Sequence, residues 1–301
     1  MPARTVTHSK PVALAVKTRR RHLAQALLRN QTALAGLLVV LGWVAVALTV
    51  SWWAPYGPLQ QDVMNRLRPP SSRHLFGTDQ LGRDVLSRVM YGTQISLPMV
   101  AIVAGGATII GGSIGAIVGI MGGRIDDLIM RLADITLAFP SIVLAMAIVT
   151  ATGPGLSNIV LAMLITGWPQ YARLMRGQVL SIKQREHVEA ARALGASDAR
   201  VLARHLIPHC VSPVVVAASL DLGNVLLLAA GLSFIGLGAI PPQPEWGAMV
   251  AEGRTKFLQW WMSGFPGLAI TSMVLGFNFI GDGLRDALDP RFRTSKLAGS
   301  S

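Results

Sequence analysis

Residues 135–172 read ITLAFPSIVLAMAIVTATGPGLSNIVLAMLITGWPQYA and contain no Asp, Glu, Lys or Arg. A helix needs about 20 apolar residues to cross the hydrocarbon core of a bilayer, so this run is long enough to cross it twice. Gly153, Pro154 and Gly155 stand near the middle of the run and favour a turn. The run therefore predicts two membrane-spanning helices joined by a short loop.

The composition of the whole chain agrees with a membrane protein. Of the 301 residues, 51% are hydrophobic and 14% are charged, and the mean hydropathy is +0.49. A soluble domain usually carries about 25% charged residues, and a disordered chain has low hydrophobicity, so both classes are excluded. The single cysteine, Cys210, excludes a disulfide scaffold. We therefore predict an all-α integral membrane protein with six transmembrane helices, at residues 33–53, 94–121, 127–150, 157–178, 209–238 and 263–283.

The positions of the basic residues explain the net charge of +12. With the N-terminus inside, 20 of the 27 Lys and Arg residues fall on the cytoplasmic side of the predicted spans. This positive-inside pattern is typical of membrane proteins, and it argues against nucleic-acid binding. Both termini are therefore expected in the cytoplasm. The predicted order is a basic cytoplasmic tail at 1–32, a first transmembrane helix at 33–53, an external segment at 54–90, a five-helix core at 91–283 and a cytoplasmic tail at 284–301.

A long polar loop interrupts the core on the predicted cytoplasmic side, at residues 180–208. Its composition predicts two short helices with a turn between them. The glycine of the turn allows a sharp change of direction, and the proline is expected to end the second helix. The residues that mark this pattern are Glu189, Ala190, Ala191, Gly195, Leu206 and Pro208.

The spacing of Glu, Ala, Ala, Gly and Pro over residues 189–208 resembles the EAA loop of the membrane subunits of ATP-binding-cassette importers. In that family the loop forms a coupling helix, which docks into a groove of a cytoplasmic ATPase. The resemblance therefore implies that these residues couple the chain to an ATPase. An amphipathic hairpin lying on the membrane is the alternative interpretation of the loop.

Further segments resemble the dipeptide and oligopeptide permeases within that importer class. They are FGTDQLGRDVLSR at 76–88, LSFIGLG at 232–238, PPQPEWG at 241–247 and GDGLRDALDP at 281–290. The resemblance runs from the first span to Arg293 and is specific to the C-type subunit. It implies the type I ABC importer permease fold and a location in the bacterial inner membrane.

The same resemblance implies the partners and the substrate class. The partners would be a homologous second permease, two cytoplasmic ATPase subunits, an external solute-binding protein and membrane lipid. The chain has no Gly-Lys-Ser or Gly-Lys-Thr, so we expect no ATPase site, no enzyme activity, no metal and no cofactor in it, with ATP-Mg bound by the partner subunits. Peptides are the expected substrates, while glutathione, nickel and opines stay open. A stand-alone secondary transporter or channel is the alternative of another class.

Small residues mark a candidate packing face. Gly111, Gly115, Gly119 and Gly123 recur every four residues, which places them on one side of a helix. Within lipid, such a face lets two helices approach closely. The sequence leaves open whether it packs inside this chain or against the partner permease.

Ionisable residues within the predicted spans are candidates for the transport pathway, because burying a charge in the membrane is costly. Arg131 and Asp134 lie three residues apart near the cytoplasmic end, and we predict an ion pair between them. Asp221 and Asn224 lie deeper, in the fifth span. They are expected either to line the pathway or to form hydrogen bonds across helices.

Overall fold

The computed structural model describes residues 30–288, so residues 1–29 and 289–301 of the predicted tails lie outside the described residues. The predicted C-terminal tail does not begin at 284, because the last helix continues to Leu288. Between residues 30 and 288 the chain is helical and has no strand, apart from one β-bridge between Thr78 and Asp84. Two irregular turns, a 3₁₀ turn at Val63–Asn65 and a π-helical turn at Leu202–Leu206, accompany the α-helices. The α-helices of the described range are α1 (Gln31–Trp53), α2 (Val85–Met121), α3 (Gly123–Leu137), α4 (Ser141–Thr152), α5 (Leu156–Lys183), α6 (Glu186–Ala193), α7 (Asp198–Val201), α8 (Ile207–Phe234), α9 (Trp246–Gly253) and α10 (Trp261–Leu288).

Helical structure is present at all six predicted spans. By length and composition, the described residues contain four stretches that could cross a membrane, namely α1, α2, Asp198–Phe234 and α10, or five if α3 and α4 form one bent span. The remaining predicted span, 157–178, corresponds to α5, which is not among them. Polar residues such as Asn158 and Gln170 interrupt its apolar positions. This helix also lies inside the bundle, where Ile159 and Tyr171 are buried.

The predicted span at 127–150 is not a single straight helix. Two helices, α3 and α4, occupy this region, and they meet at an angle of 92°. Pro140 stands at the break, immediately before α4. Proline lacks the amide hydrogen that a helix needs, and it disfavours helical backbone in the residue before it. The physical signal for the bend was therefore present in the sequence.

Several other predicted boundaries move, and two of the changes have a local explanation. The second span begins at Val85 rather than near 94, because the Asp84 carboxylate caps the helix by accepting a hydrogen bond from the Ser87 amide at 2.8 Å. Pro208 does not end a helix as predicted. It lies in the first turn of α8, directly after the π-helical turn Leu202–Leu206. The π-helical turn joins α7 and α8 into one continuous stretch.

The bundle has two ends, which we name by the residues that they carry. The coupling end carries α6 and α7, and here Lys183 donates a hydrogen bond to the Ile120 carbonyl at 2.8 Å, joining the last turns of α5 and α2. The opposite end carries residues 54–84 and α9. We call these residues together the plate, and this end the plate end. Trp261 at the start of α10 donates a hydrogen bond to the Thr78 carbonyl at 3.1 Å and so fastens the plate to the bundle. Helix α2 runs from one end to the other.

Candidate functional site

The loop at 180–208, which we call the coupling loop after the EAA resemblance, contains α6, a tight turn and α7. Gly195 in the turn has a φ of +83°, a left-handed conformation that glycine adopts without strain. Its amide donates a hydrogen bond to the Arg192 carbonyl at 2.9 Å, and the Arg192 side chain donates to Asp198 at 3.0 Å. Val188 and Val201 are fully buried and hold the two short helices against the bundle. The turn is therefore a fixed structure that the glycine makes possible.

The coupling-loop residues identified from the sequence divide into two groups. Glu189, Ala190 and Gly195 are exposed, and the Glu189 carboxylate has no hydrogen-bond partner within residues 30–288. Leu206 is fully buried in the core of the chain. Ala191 is half-buried, and Pro208 is exposed at the start of α8. The outward-facing group is available to a second protein, whereas Leu206 supports the fold.

The sequence analysis missed Leu194, which lies between α6 and Gly195. Its side chain is 90% exposed at the tip of the loop. The signal available in the sequence was its position directly before the glycine that ends the helix.

The glycine face packs inside the chain, between α2 and α5. A Cβ atom at Gly111 would lie 2.2 Å from the Trp168 carbonyl oxygen, and one at Gly115 would lie 2.1 Å from that of Ala172. At Gly119 the nearest atom would be in Val179, at 3.0 Å. Gly123 departs from the predicted row, because Gly122 ends α2 and Gly123 starts α3 with open space beside it.

Substitution of Gly115 by alanine is expected to lower the free energy of unfolding by about 1–3 kcal/mol, the usual cost of overpacking. The added methyl group would meet backbone atoms of α5, which cannot rotate away. Gly105→Ala in the same helix is the matched control, because nothing lies within 4 Å of its Cβ position. Thermal unfolding in detergent measures both variants. Equal stability of the two would contradict this packing.

A polar contact crosses the middle of the bundle between α5 and α8. The Tyr171 hydroxyl donates a hydrogen bond to Asp221 Oδ2 at 2.9 Å. The Asn224 amide, one turn further along α8, contacts Asp221 Oδ1 at 3.4 Å. Tyr171 is buried, Asp221 is half-buried and Asn224 is exposed. One oxygen of the carboxylate is thus fixed from inside the chain, while its neighbour Asn224 faces outward.

Arg131 and Asp134 do not form the predicted ion pair. The Asp134 carboxylate accepts a hydrogen bond from Arg173 of α5 instead, and Arg131 is exposed without an ion pair in the described range. A second contact of the same kind lies nearby, where Arg176 donates two hydrogen bonds to Asp126 at 2.6 and 2.7 Å. Packing of α3 against α5 places these arginines within reach. The carboxylates therefore pair between helices rather than along one.

A network of buried ion pairs fastens the plate together, and the sequence analysis gave its residues no role. Asp79 Oδ2 accepts hydrogen bonds from Arg83 at 2.6 Å and from Arg88 at 2.7 Å. The same arginines reach Glu252 of α9, at 3.1 and 2.6 Å. The side chains of Asp79 and Arg88 are each only 2% exposed. The spacing of four residues between Asp79 and Arg83 was the available signal.

Helix α9 begins at a buried carboxylate. The Glu245 oxygens accept hydrogen bonds from the amides of Gly247 and Ala248, at 2.8 and 2.9 Å. Burial raises the pKa of Glu245, and these two hydrogen bonds oppose that shift. Trp246 donates a hydrogen bond to the Val89 carbonyl at 2.9 Å, which ties α9 to α2. The plate is therefore attached to the bundle at several points.

Comparison with known proteins identifies the family. Residues 111–294 match the binding-protein-dependent transport system inner membrane component family. The chain belongs to this permease family. Residues 20–70 also match the N-terminal transmembrane domain of oligopeptide transport permease C. The chain is accordingly a multi-pass protein of the inner membrane, as the family and its apolar helices indicate.

Individual relatives cover most of the chain. It is 48% identical to the probable D,D-dipeptide transport system permease protein DdpC of Escherichia coli, over 80% of this chain and 81% of that protein. It is 42% identical to the dipeptide transport system permease protein DppC of Alkalihalophilus pseudofirmus, over 91% and 90%. The glutathione transport system permease protein GsiD of Pectobacterium atrosepticum is 43% identical, over 93% of each chain.

A solved structure agrees with the fold. The chain resembles one from the MetNI methionine ABC transporter in inward-facing conformations, with a TM-score of 0.54 and 18% sequence identity. The match covers 68% of this chain and 97% of the other. The predicted fold of a type I ABC importer permease is thus confirmed.

Proposed function

We propose that this permease forms, with a homologous second permease, the membrane pathway of an ABC importer for dipeptides or oligopeptides. Two cytoplasmic ATPase subunits bind ATP-Mg and drive transport, and a solute-binding protein delivers the substrate from outside. The sequence has no Gly-Lys-Ser or Gly-Lys-Thr, so we expect the ATPase sites to lie in the partner subunits. The observation that carries the proposal is the coupling loop, which presents Glu189, Leu194 and Gly195 outward from a fixed turn. The names of several relatives favour peptides, and that of GsiD keeps glutathione as the second candidate.

In the proposed orientation, the coupling end and both termini face the cytoplasm and the plate end faces outward. The excess of Lys and Arg on the coupling side supports this orientation. ATP binding closes the ATPase subunits, which move α6 and α7. Because α7 continues into α8 through the π-helical turn, this movement acts on the helix that carries Asp221. The pathway then opens alternately to the two sides of the membrane.

Asp221 and Asn224 are proposed to line the pathway. Asp221 is the acidic residue in the middle of α8, and Asn224 faces out of the chain, where a partner permease would complete the pathway. A carboxylate at this depth suits a positively charged substrate group such as the ammonium group of a peptide. Tyr171 holds the carboxylate in position.

The proposed function is tested by purifying the tagged chain from native membranes and identifying the proteins that accompany it. The recovered complex, in proteoliposomes with its solute-binding protein, is expected to take up a labelled dipeptide only when ATP is present. Asp221→Asn is expected to lower uptake about tenfold or more, since a hydrogen bond to a charged group contributes about 1.5–3 kcal/mol.

Tyr171→Phe serves as the control for the pathway residue. It removes the hydroxyl that orients the carboxylate but keeps the charge, so a smaller loss of uptake is expected. A chain that transports alone without ATP would overturn the importer proposal. Wild-type uptake by Asp221→Asn would contradict only the proposal that Asp221 lines the pathway.

A further inference from the structure

A shallow groove opens on the plate, in the stretch of chain that precedes α2. Met64 is 87% exposed at its edge, and Arg66 and Arg68 are exposed as well. The groove therefore combines apolar side chains with two positive charges. Its lining residues are Val63, Met64, Arg66, Leu67, Arg68 and Pro69.

The two arginines of the groove have no ion pair within residues 30–288. The acidic residue nearest to them in sequence, Asp62, accepts a hydrogen bond from the Asn65 amide at 2.7 Å. That hydrogen bond and the positive charge of Arg73 lower the pKa of Asp62. The other carboxylates of the plate and its edge are engaged in contacts already described or, for Asp84, with His74 and Ser87. The outward-facing charge of the plate is therefore mainly positive.

The backbone of the groove is held in one shape. Leu67 has a φ of +56°, which is uncommon for a residue other than glycine. Its amide donates a hydrogen bond to the Asp79 carbonyl at 2.9 Å, and the Arg68 amide donates to the Thr78 hydroxyl at 2.8 Å. Strained residues persist where the surrounding structure fixes them, and they cluster at binding sites.

The segment that lines the groove also packs tightly against the loop that contains Gly82. A Cβ atom at Gly82 would lie 1.8 Å from the Asp62 carbonyl oxygen. That loop contains Asp79 and Arg83, and an ion pair joins Arg83 to Glu252 of α9. The groove is therefore preformed, and a ligand would not have to order it on binding.

We propose that this groove docks an acidic segment of the solute-binding protein, with two carboxylates facing Arg66 and Arg68 and an apolar side chain against Val63 and Met64. This inference rests on the proposed function and adds the chemistry of the docking surface. Charge complementarity of this kind sets the association rate and the register of two proteins. A fixed backbone with apolar walls favours a folded protein over a lipid headgroup, which needs positive charge alone.

The test uses the assembled complex in nanodiscs and the solute-binding protein that is recovered with it from native membranes. The double variant Arg66→Glu and Arg68→Glu is expected to weaken binding of that protein at least about tenfold, since facing like charges costs several kcal/mol. The salt dependence of the association rate is expected to fall as well. Lys256→Glu, at a half-buried position in the loop after α9, is the control for charge reversal elsewhere on this end of the chain. Basal ATPase activity shows that each variant complex is assembled.

Each outcome of this experiment either supports or contradicts the proposed docking of the solute-binding protein in the groove. Restored binding when one acidic residue of the solute-binding protein is changed to lysine supports it and locates the partner segment. Unchanged binding by the double variant overturns it, while leaving the proposed function intact. Loss of binding to anionic vesicles, with binding of the solute-binding protein unchanged, overturns it in favour of a headgroup site. If the wild-type complex binds no solute-binding protein, the proposed function and this inference fail together.

Discussion

Arg88→Met is expected to destabilise the permease more than any other single substitution considered above. Arg88 is 2% exposed and donates hydrogen bonds to Asp79 and to both oxygens of Glu252. Without it, the buried carboxylate of Asp79 and the half-buried carboxylate of Glu252 would share Arg83 alone. Removing one partner of a buried ion pair costs about 3–5 kcal/mol, because an uncompensated charge stays behind. For a chain of this size that corresponds to a fall in Tm of about 5–8 °C.

The effect is measured as the temperature at which the detergent-solubilised chain loses its monodisperse peak. Arg124→Met is the matched control, because Arg124 is exposed and has no ion pair among the described residues. Arg88→Lys keeps the charge but loses the two-pronged contact with Glu252, so an intermediate Tm is expected. Equal Tm values for Arg88→Met and Arg124→Met would show that the ion-pair network does not hold the plate.

The ion-pair network of the plate could not be predicted from the sequence alone. Residues 54–90 contain many charges, and a polar composition is what an exposed loop would have as well. Burial of Asp79, Arg83 and Arg88 arises only because Glu252, far along the chain, is brought to them. A single sequence does not state such long-range pairing. For the same reason Asp134 was paired with Arg131, its neighbour along the helix, rather than with Arg173 on α5.

The membrane helices were predictable because an apolar run of sufficient length is decided locally. All six predicted positions hold helices, and the family of the chain was recognisable from the spacing around Glu189 and Gly195. The bend at Pro140 had a local cause and was still missed, because the apolar residues on both sides of it continue without a charge. Hydropathy indicates which residues lie in the membrane, but it does not show that a helix changes direction there.

Glu189→Arg is expected to abolish coupling while leaving the fold intact. Within the described range the Glu189 carboxylate is exposed and forms no hydrogen bond or ion pair, so Tm should change little. ATP-driven uptake should fall more than about tenfold, because reversing a charge at a protein interface costs several kcal/mol. Glu186→Arg is the matched control. Both glutamates are exposed in the first turn of α6, so both substitutions remove the same favourable interaction with the helix dipole.

Gly195→Trp tests the shape of the same loop rather than its charge. No atom lies within 4 Å of a Cβ at Gly195, so the indole would project outward into the proposed ATPase interface. The left-handed φ adds a cost of about 1–2 kcal/mol for a residue with a side chain. Gly195→Asn separates the two effects, because asparagine tolerates that conformation and is small. We expect uptake to be lost in the tryptophan variant and largely kept in the asparagine variant, with ATP hydrolysis measured alongside. Normal uptake by both Glu189→Arg and Gly195→Trp would mean that the loop does not transmit the movement of the ATPases.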